Sequence, residues 1–176
     1  MNTANESKRE VRLTAQRILT THVHPGDDAD YPAATFWTDI DLDLTAAVLV
    51  DWYMKDCLLH NAMFRQATFT GYAGFNGATF AGDAGFNGAT FTANTWFDGA
   101  TFTGNAEFGG ATFTEGAWFD ETTFTEDVRF DDATFTGNAG FGGATFTSGP
   151  TFDGVTFTGN SGHEPSGNQT SEPAGD

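Results

Sequence analysis

The chain has 176 residues, enough for one domain with short tails, and it contains 22 Gly and 19 Phe but only 3 Tyr. Its formal net charge of -17 argues against direct binding to nucleic acid or to an anionic membrane surface, and it fits a basic or DNA-binding protein as partner better. The single cysteine, Cys57, excludes an intrachain disulfide framework. No signal-peptide pattern opens the chain and no apolar run approaches the ~20 residues of a membrane span, so we expect a cytoplasmic protein.

The first predicted element is a helix at residues 10–23, EVRLTAQRILTTHV. Helical spacing places five residues on one face: Val11, Ala15, Ile18, Leu19 and His22. We expect this helix and residues 31–43 to cover the first coil of the repeat region that follows, because an uncovered end exposes unpaired strand edges. A partner-binding helix is the alternative. Residues 25–32, PGDDADYP, are predicted to be a linker.

A Phe-centred repeat occupies most of the remaining chain. From Phe69 to Phe157 the Phe positions advance by alternating steps of six and five residues. The residue two positions before each Phe is usually Ala, and otherwise Thr, Val or Pro. This pattern, in which a small and a large apolar residue flank one polar residue, is typical of a short strand with one face directed inward. The same spacing would not place the apolar residues on one face of a helix.

The same grid continues upstream with other apolar residues. The large positions advance by five residues: Leu44, Leu49, Met54, Leu59 and Phe64. The small positions precede them by two: Leu42, Ala47, Trp52, Cys57 and Ala62. The sequence therefore has 22 large apolar positions that we expect to face inward, from Leu44 to Phe157 inclusive.

The segments AVLVD, CLLHN, AMFRQ and ATFTG show a small residue, a polar or variable one, a central Leu or Phe and two further residues. In this pattern the sequence resembles the pentapeptide-repeat family over about residues 40–160. The resemblance implies an all-β fold, a right-handed quadrilateral parallel β-helix with one repeat on each of four sides. We expect residues 1–39 to form the N-terminal helix and linker that cap this β-helix, residues 40–160 the β-helix itself, and residues 161–176, SGHEPSGNQTSEPAGD, a disordered tail.

The chain departs from the family pattern by adding a sixth residue after alternate repeats, which makes one coil 22 residues long. The added residues are Tyr72, Asp83, Asn94, Asn105, Gly116, Asp127, Asn138, Gly149 and Asn160. We expect them to form two bulged corners per coil, with positive φ where Gly or Asn allows it.

A coil of 22 residues stacks Thr into columns on two opposite walls. One wall carries Thr68, Thr90, Thr112, Thr134 and Thr156 beside Thr70, Thr92, Thr114, Thr136 and Thr158. The other carries Thr79, Thr101, Thr123 and Thr145 beside Ala81, Thr103, Thr125 and Thr147. Thr pairs well with Thr across strands, which gives these walls a structural explanation. The alternative is ice binding, because Thr-x-Thr ladders resemble those of insect antifreeze proteins.

The two remaining walls carry the candidate partner-binding residues. Trp96 and Trp118 are expected to be exposed neighbours on adjacent coils, with Asp98 and Asp120 beside them. On the opposite wall, Glu107 is expected to form an ion pair with Arg129. Acidic residues concentrate downstream, as a solvated surface or as a site for a basic partner: Glu115, Asp120, Glu121, Glu126, Asp127, Asp131 and Asp132.

We therefore expect a non-enzymatic scaffold or protein-interaction module that needs no cofactor or metal. The alternative implied by the family resemblance is a DNA-mimicking modulator of DNA gyrase or topoisomerase. His22 and His24 match no metal-ligand pattern, and Cys57 falls on an inward position. The sequence specifies neither the identity of the partner nor the oligomeric state.

Overall fold

The repeat region folds as a parallel β-solenoid of about five turns, in a computed structural model that describes residues 3–26 and 32–159. Helix α1 spans Thr3–Val23. The strands follow in chain order: β1 (Leu42–Asp43), β2 (Val48–Tyr53), β3 (Leu58–Leu59), β4 (Ala62–Met63), β5 (Thr68–Gly74), β6 (Thr79–Phe80), β7 (Ala84–Gly85), β8 (Thr90–Phe91), β9 (Thr95–Trp96), β10 (Thr101–Phe102), β11 (Ala106–Glu107), β12 (Thr112–Phe113), β13 (Ala117–Trp118), β14 (Thr123–Phe124), β15 (Val128–Arg129), β16 (Thr134–Phe135), β17 (Ala139–Gly140), β18 (Thr145–Phe146) and β19 (Thr156–Phe157). Most of the predicted linker and all of the predicted tail lie outside the described residues.

Strands that are one coil apart pair in parallel and build four walls. The first Thr wall stacks β2, β5, β8, β12, β16 and β19, and the second Thr wall stacks β3, β6, β10, β14 and β18. Between them in chain order lies the wall that we call the aromatic wall, formed by the second halves of β2 and β5 together with β9, β13 and β17. The fourth wall stacks β1, β4, β7, β11 and β15. The predicted columns are confirmed on all four walls.

The number of residues per coil increases where the added residues first occur. Leu42 pairs with Ala62, 20 residues later, whereas Leu58 pairs with Thr79 after 21 residues. Ala62 pairs with Ala84 after 22 residues, and this interval then persists. The first coil therefore consists of five-residue repeats, and the alternating grid starts with the insertion of Tyr72.

Stacked Phe side chains fill the interior. Along each wall, rings on successive coils stack nearly in parallel, with centroids 4.5 to 5.1 Å apart. Across the axis, Phe97 and Phe108 pack edge to face at 5.5 Å. The small inward residues are buried as well, including Thr95 and Thr122, whose hydroxyls donate to backbone carbonyls. Each buried Phe contributes about 1.5–3 kcal/mol before chain entropy is subtracted, so the aromatic interior is the main source of stability.

The corners differ from the prediction. At the corners without an added residue, the second residue after the inward Phe has a positive φ, as at Gly77, Gly88, Gly99 and Gly110 with φ of 64° each. At the bulged corners, Gly71, which precedes Tyr72, has a φ of 83°. Among the described added residues none has a positive φ. Instead, the backbone N–H groups of Tyr72, Asp83, Asn105 and Gly116 donate to side-chain oxygens on the preceding coil, as Asn105 N–H does to Asp83 Oδ1 at 3.0 Å. Asn and Asp suit these corners because their side-chain oxygens accept the amide that the bulge leaves unpaired.

Helix α1 covers the first coil, but through a face that the sequence analysis did not identify. Gln16 is buried, and its amide donates to Val50 O at 2.7 Å and accepts Val50 N–H at 2.9 Å. This side chain therefore completes the open edge of β2 as another strand would. The predicted apolar face is wrong in part, because Val11 and Ile18 are 67% and 49% exposed. No helix among residues 3–26 and 32–159 is long and apolar enough to cross a membrane.

The segment that follows the helix also packs on the first coil. Trp37 N–H donates to His22 O, and the two side-chain rings stack with centroids 3.9 Å apart. His60 N–H donates to Ile40 O, which ties the segment to the repeat region. The described part of this stretch, residues 32–43, therefore contacts both α1 and the repeat region.

Candidate interaction surface

Four aromatic side chains follow one another along the aromatic wall, and we call them the aromatic ladder: Tyr53, Tyr72, Trp96 and Trp118. Trp96 and Trp118 are in register on neighbouring coils and stack with centroids 5.5 Å apart and planes 12° apart. Tyr72 lies 5.8 Å from Trp96, and the ring of Tyr53 passes over Gly74 on the next coil. The ladder therefore extends over four coils.

The two tryptophans are less exposed than predicted. Both are half-buried, because each lies against the wall rather than projecting from it. A Cβ at Gly116 would collide with Cη2 of Trp118, so the indole occupies the space that a side chain at this corner would need. Tyr53 and Tyr72, in contrast, are 51% and 48% exposed. The ladder thus consists of two half-buried indole rings that lie against the wall and two exposed phenol rings.

A column of polar side chains runs beside the ladder. Asn76 Nδ2 donates to Asp98 Oδ2 at 3.4 Å, Asp120 N–H donates to Asp98 Oδ1 at 3.3 Å, and Gly142 N–H donates to Asp120 Oδ1 at 2.6 Å. Burial raises the pKa of Asp98 above its ordinary value, and the charges of Asp120 and Glu121 raise it further. No cation among the described residues forms an ion pair with this column. The wall therefore carries negative charge that no side chain in the described part of the molecule neutralises through an ion pair.

The other predicted acidic residues do not join this column. Glu121 stands at the corner that follows the aromatic wall, and Asp127 at the bulged corner that precedes the fourth wall. Asp131 and Asp132 end the fourth wall, where Asp131 Oδ1 accepts Asp153 N–H at 3.1 Å. The acidic concentration in the sequence is thus distributed around one coil, and of the predicted candidate residues Asp98, Asp120 and Glu121 adjoin the ladder.

The two columns of the first Thr wall differ in their hydrogen bonds. Thr92, Thr114 and Thr136 donate their hydroxyls to carbonyls of Phe residues on the preceding coil at 2.9 to 3.1 Å. For the candidate residues in the neighbouring column, Thr90, Thr112 and Thr134, the described structure has no such side-chain bond. One column therefore fastens successive coils together, which supports a structural role for this wall.

The predicted ion pair on the fourth wall is wrong. Glu107 and Arg129 are in backbone register, but Glu107 Oε2 lies 3.5 Å from Nη2 of Arg65. Arg65 reaches Glu107 across Gly85, where a Cβ would meet Arg65 Nε at 3.3 Å. The missing side chain at Gly85 thus lets an arginine span two coils.

The cysteine and the two N-terminal histidines, whose side chains could in principle serve catalysis, are either buried or hydrogen-bonded within the fold. Burial raises the pKa of the Cys57 thiol to about 12, which makes it a poor nucleophile. His22 Nδ1 bonds to Thr35 O, and His24 Nδ1 accepts Gly26 N–H at 3.0 Å. Within residues 3–26 and 32–159, no group of three or more potential metal ligands comes together.

The repeat pattern in the sequence predicts the two tryptophans of the ladder, but Tyr53 and Tyr72 were not predicted as members. Tyr53 occupies the outward position that corresponds to Gly74 one coil further on and to Trp96 two coils further on, so its register could have identified it. Tyr72 is an added residue and belongs to no regular column. Its position two residues before Gly74, where the wall has no side chain of its own, was the available signal.

A parallel four-walled β-solenoid with an aromatic interior defines the structural class. The family model of pentapeptide repeats in nine copies matches residues 64–112, 86–134 and 119–162, which together cover more than half of the chain. The chain therefore belongs to the pentapeptide-repeat family. No curated protein and no solved structure matches it significantly.

Proposed function

We propose that this protein is a non-enzymatic interaction module whose aromatic wall binds a basic, extended segment of a partner protein. The observation that carries the proposal is the aromatic ladder lying beside the unneutralised carboxylates of Asp98 and Asp120. Arginine and lysine side chains bind both to aromatic rings and to carboxylates. An extended segment fits because it could follow the ladder along the solenoid axis.

Burial and charge support the choice of this wall over the other three. The two Thr walls have few charges, and the fourth wall neutralises part of its own charge through Arg65 and Glu107. On the aromatic wall the two indoles are already held in place by the backbone, so binding would order few side chains. Tyr and Trp are also the residue types that most often dominate protein interfaces.

The two alternatives draw less support from the described residues. Ice binding would use Thr hydroxyls, of which one column on the first Thr wall already donates to backbone carbonyls. DNA mimicry would use rows of negative charge, whereas the acidic residues between 115 and 132 lie at different corners of one coil. Both alternatives stay open to direct assays, namely thermal hysteresis and gyrase supercoiling.

The test is calorimetric titration with a short peptide in which arginine alternates with serine, at physiological salt. We expect Asp98→Asn combined with Asp120→Asn to weaken binding about tenfold, since it removes charge beside the rings. The matched control is Asp131→Asn combined with Asp132→Asn, which removes the same charge from the opposite wall. It should change affinity by about twofold or less.

Asparagine retains the side-chain oxygen with which Asp98, Asp120 and Asp131 each accept a backbone N–H, so neither variant should disturb the coil. Equal weakening by both variants would mean that the peptide responds to net charge alone. That result, or the absence of any weakening, would overturn the proposal.

A further inference from the structure

The two ends of the solenoid are closed in different ways. At the N-terminal end, α1 covers the first coil, and Gln16 occupies the hydrogen-bonding groups of Val50. At the other end lies the last described coil, residues 139–158, which we call the terminal coil. Four of its large inward side chains are only partly buried: Phe146, Phe152, Val155 and Phe157. One coil earlier the corresponding side chains are at most 1% exposed: Phe124, Phe130, Ala133 and Phe135.

The exposed surface of the terminal coil is apolar and almost uncharged. Asp153 is the single charged residue between positions 133 and 159, in a chain with a net charge of -17. The sequence that follows, NSGHEPSGNQTSEPAGD at residues 160–176, contains no Val, Leu, Ile, Met, Phe, Tyr or Trp that could cover the Phe rings. A second copy of the terminal coil could cover them, because two such surfaces carry little charge to repel each other.

The backbone at the end of the fourth wall presents N–H groups. This wall continues onto the terminal coil through a bridge at Thr151. On it, each coil donates to the coil that follows, as Phe130 and Asp132 do through their N–H groups at 2.9 and 2.7 Å. Phe152 and Gly154 occupy the same two positions on the terminal coil. Their N–H groups therefore point out of the end of the solenoid, and neither has a backbone acceptor among the described residues.

The adjacent end of the first Thr wall presents carbonyl groups instead. On this wall, each coil accepts from the coil that follows, as Ala133 and Phe135 do through their carbonyls, both at 2.9 Å. Val155 and Phe157 occupy the same two positions on the terminal coil, so their carbonyls point out of the end. Donors thus end one wall and acceptors end the next wall, on either side of the corner at Gly154.

A two-fold axis through this corner and the centre of the end brings donors and acceptors together. It lays the fourth wall of one copy on the first Thr wall of the other, with the strands antiparallel. Phe152 N–H then faces Phe157 O of the second copy, and Gly154 N–H faces Val155 O of the second copy. Both pairs belong to one antiparallel register, because two residues forward on one strand correspond to two residues back on the other. An axis through the middle of a wall would instead oppose like groups.

We propose that the protein forms a two-fold dimer in which the terminal coils of two copies stack end to end, fourth wall on first Thr wall. The stack covers the partly exposed Phe rings of both copies, as the following coil covers them inside the solenoid. Because α1 covers the opposite end of each copy, the assembly closes as a dimer and does not grow into a filament. This inference is independent of the interaction proposed for the aromatic ladder, whose side chains remain on the outside of the stack.

The first test is sedimentation equilibrium of the full chain. One side of a coil is about 16–20 Å long, so the contact is at the small end of stable interfaces and should dissociate at roughly micromolar concentrations. Between about 1 and 200 µM, the mass should rise from 18.8 kDa towards twice that value. A mass that stays at 18.8 kDa, or one that rises beyond a dimer, would overturn the proposal.

The second test places charge in the contact without touching the core. In the proposed register Asp153 lies opposite Thr156 of the second copy, and both side chains are exposed. Thr156→Asp should weaken dimerisation about five- to tenfold, because like charges then oppose each other twice. Adding Asp153→Lys to the same chain should restore the affinity to within about twofold. The matched control is Thr134→Asp, in the same column one coil earlier, which should change it by about twofold or less. Equal weakening by Thr156→Asp and Thr134→Asp would contradict the proposal.

The third test fixes the register by disulfide formation between separate chains. In the proposed register, positions 153 and 156 form a pair without hydrogen bonds, whose Cα atoms lie about 4.5–5.5 Å apart, within the range of a disulfide. A mixture of Asp153→Cys and Thr156→Cys proteins should therefore cross-link under mild oxidation, whereas neither variant should do so alone. Cys57 is only 2% exposed and should not interfere. Cross-linking of Thr156→Cys with itself, or none in the mixture, would overturn the register.

Discussion

The first Thr wall and the aromatic wall share one interior but have different outer surfaces. Beneath both, Phe rings stack at similar distances, 4.7 Å between Phe91 and Phe113 and 4.8 Å between Phe97 and Phe119. Outside, the Thr wall repeats one residue type in register, whereas the aromatic wall changes from Tyr to Gly to Trp. Because the backbone is the same, the difference lies in outward side chains that the core does not require.

This difference separates two kinds of sequence regularity. The Phe and Ala positions repeat because every coil must bury the same surface, and departure from them creates a cavity. The outward positions of the aromatic wall tolerate Gly, Tyr and Trp, so their identity is free to serve binding. In this solenoid, then, irregularity on an otherwise regular wall is the better indicator of a functional surface.

The largest change in stability is expected from core substitutions, which compare the packing of the interior beneath an aromatic wall and a Thr wall. Phe97 underlies the aromatic wall and Phe102 the second Thr wall, and both are fully buried. Each substitution, Phe97→Ala or Phe102→Ala, should lower the free energy of unfolding by about 3–5 kcal/mol, through lost burial and a cavity. Urea denaturation measures both losses. A small loss at one site only would show that the two walls differ in their cores.

The second prediction exchanges one type of wall for the other. Trp96→Thr combined with Trp118→Thr should reduce stability by about 1–2 kcal/mol, because the ring stack is lost. The same variant should abolish measurable binding of the arginine–serine peptide. Calorimetry and urea denaturation together follow both quantities.

The control for this exchange is Thr112→Ala combined with Thr134→Ala, on the first Thr wall. It should also reduce stability, by about 0.5–1 kcal/mol, while peptide affinity is retained. Loss of affinity in this control would contradict the assignment of binding to the aromatic wall.

The third prediction distinguishes the two columns of the first Thr wall. Thr114→Val removes the hydroxyl that donates to Phe91 O at 2.9 Å and should cost about 1 kcal/mol. Thr112→Val retains the branched shape in the neighbouring column and should change stability by less than about 0.5 kcal/mol. Differential scanning calorimetry can compare the two variants, and equal losses would show that the hydrogen bond contributes nothing.

The smallest effect concerns the charge beside the ladder. The pKa of Asp98 is raised in the folded state, so the native protein holds this proton more tightly than the unfolded chain does. Ionised Asp98 therefore destabilises the fold at neutral pH, and the penalty disappears as the pH falls below the ordinary carboxyl pKa. Asp98→Asn should be more stable than the unchanged protein at pH 7, by about 0.5 kcal/mol or less because water screens the partly exposed group.

Urea midpoints measured near neutral pH and again in acid check this sign. A variant that is less stable than the unchanged protein at neutral pH would contradict it. So would an advantage that persists unchanged in acid.

The interior was predictable from the sequence because burial acts on every repeat in the same way. The alternating steps between Phe residues place the walls in register, and even the upstream substitutes Met54 and Leu59 are buried as the grid requires. The positive-φ corners are also visible in the sequence, as glycines at intervals of eleven residues from Gly77 to Gly110, whereas the added residues mark the other corners, where Gly71 alone among the described residues has a positive φ.

The contacts that escaped prediction depend on single side chains that act across coils. Gln16 completes a strand edge with its side-chain amide, and neither helical periodicity nor composition marks a residue for that role. Arg65 reaches Glu107 because Gly85 leaves room between them. Tyr72 joins the ladder from a bulged corner. Such contacts are set by local geometry rather than by repetition.

The measurement that tests the central claim most directly is a map of peptide binding onto the solenoid by ¹H–¹⁵N correlation spectra. If the aromatic wall is the docking surface, the arginine–serine peptide will shift the indole resonances of Trp96 and Trp118 and the amides around Asp98 and Asp120. The amides of both Thr walls will stay unchanged. Shifts spread evenly over the four walls, or confined to a Thr wall, would contradict the account.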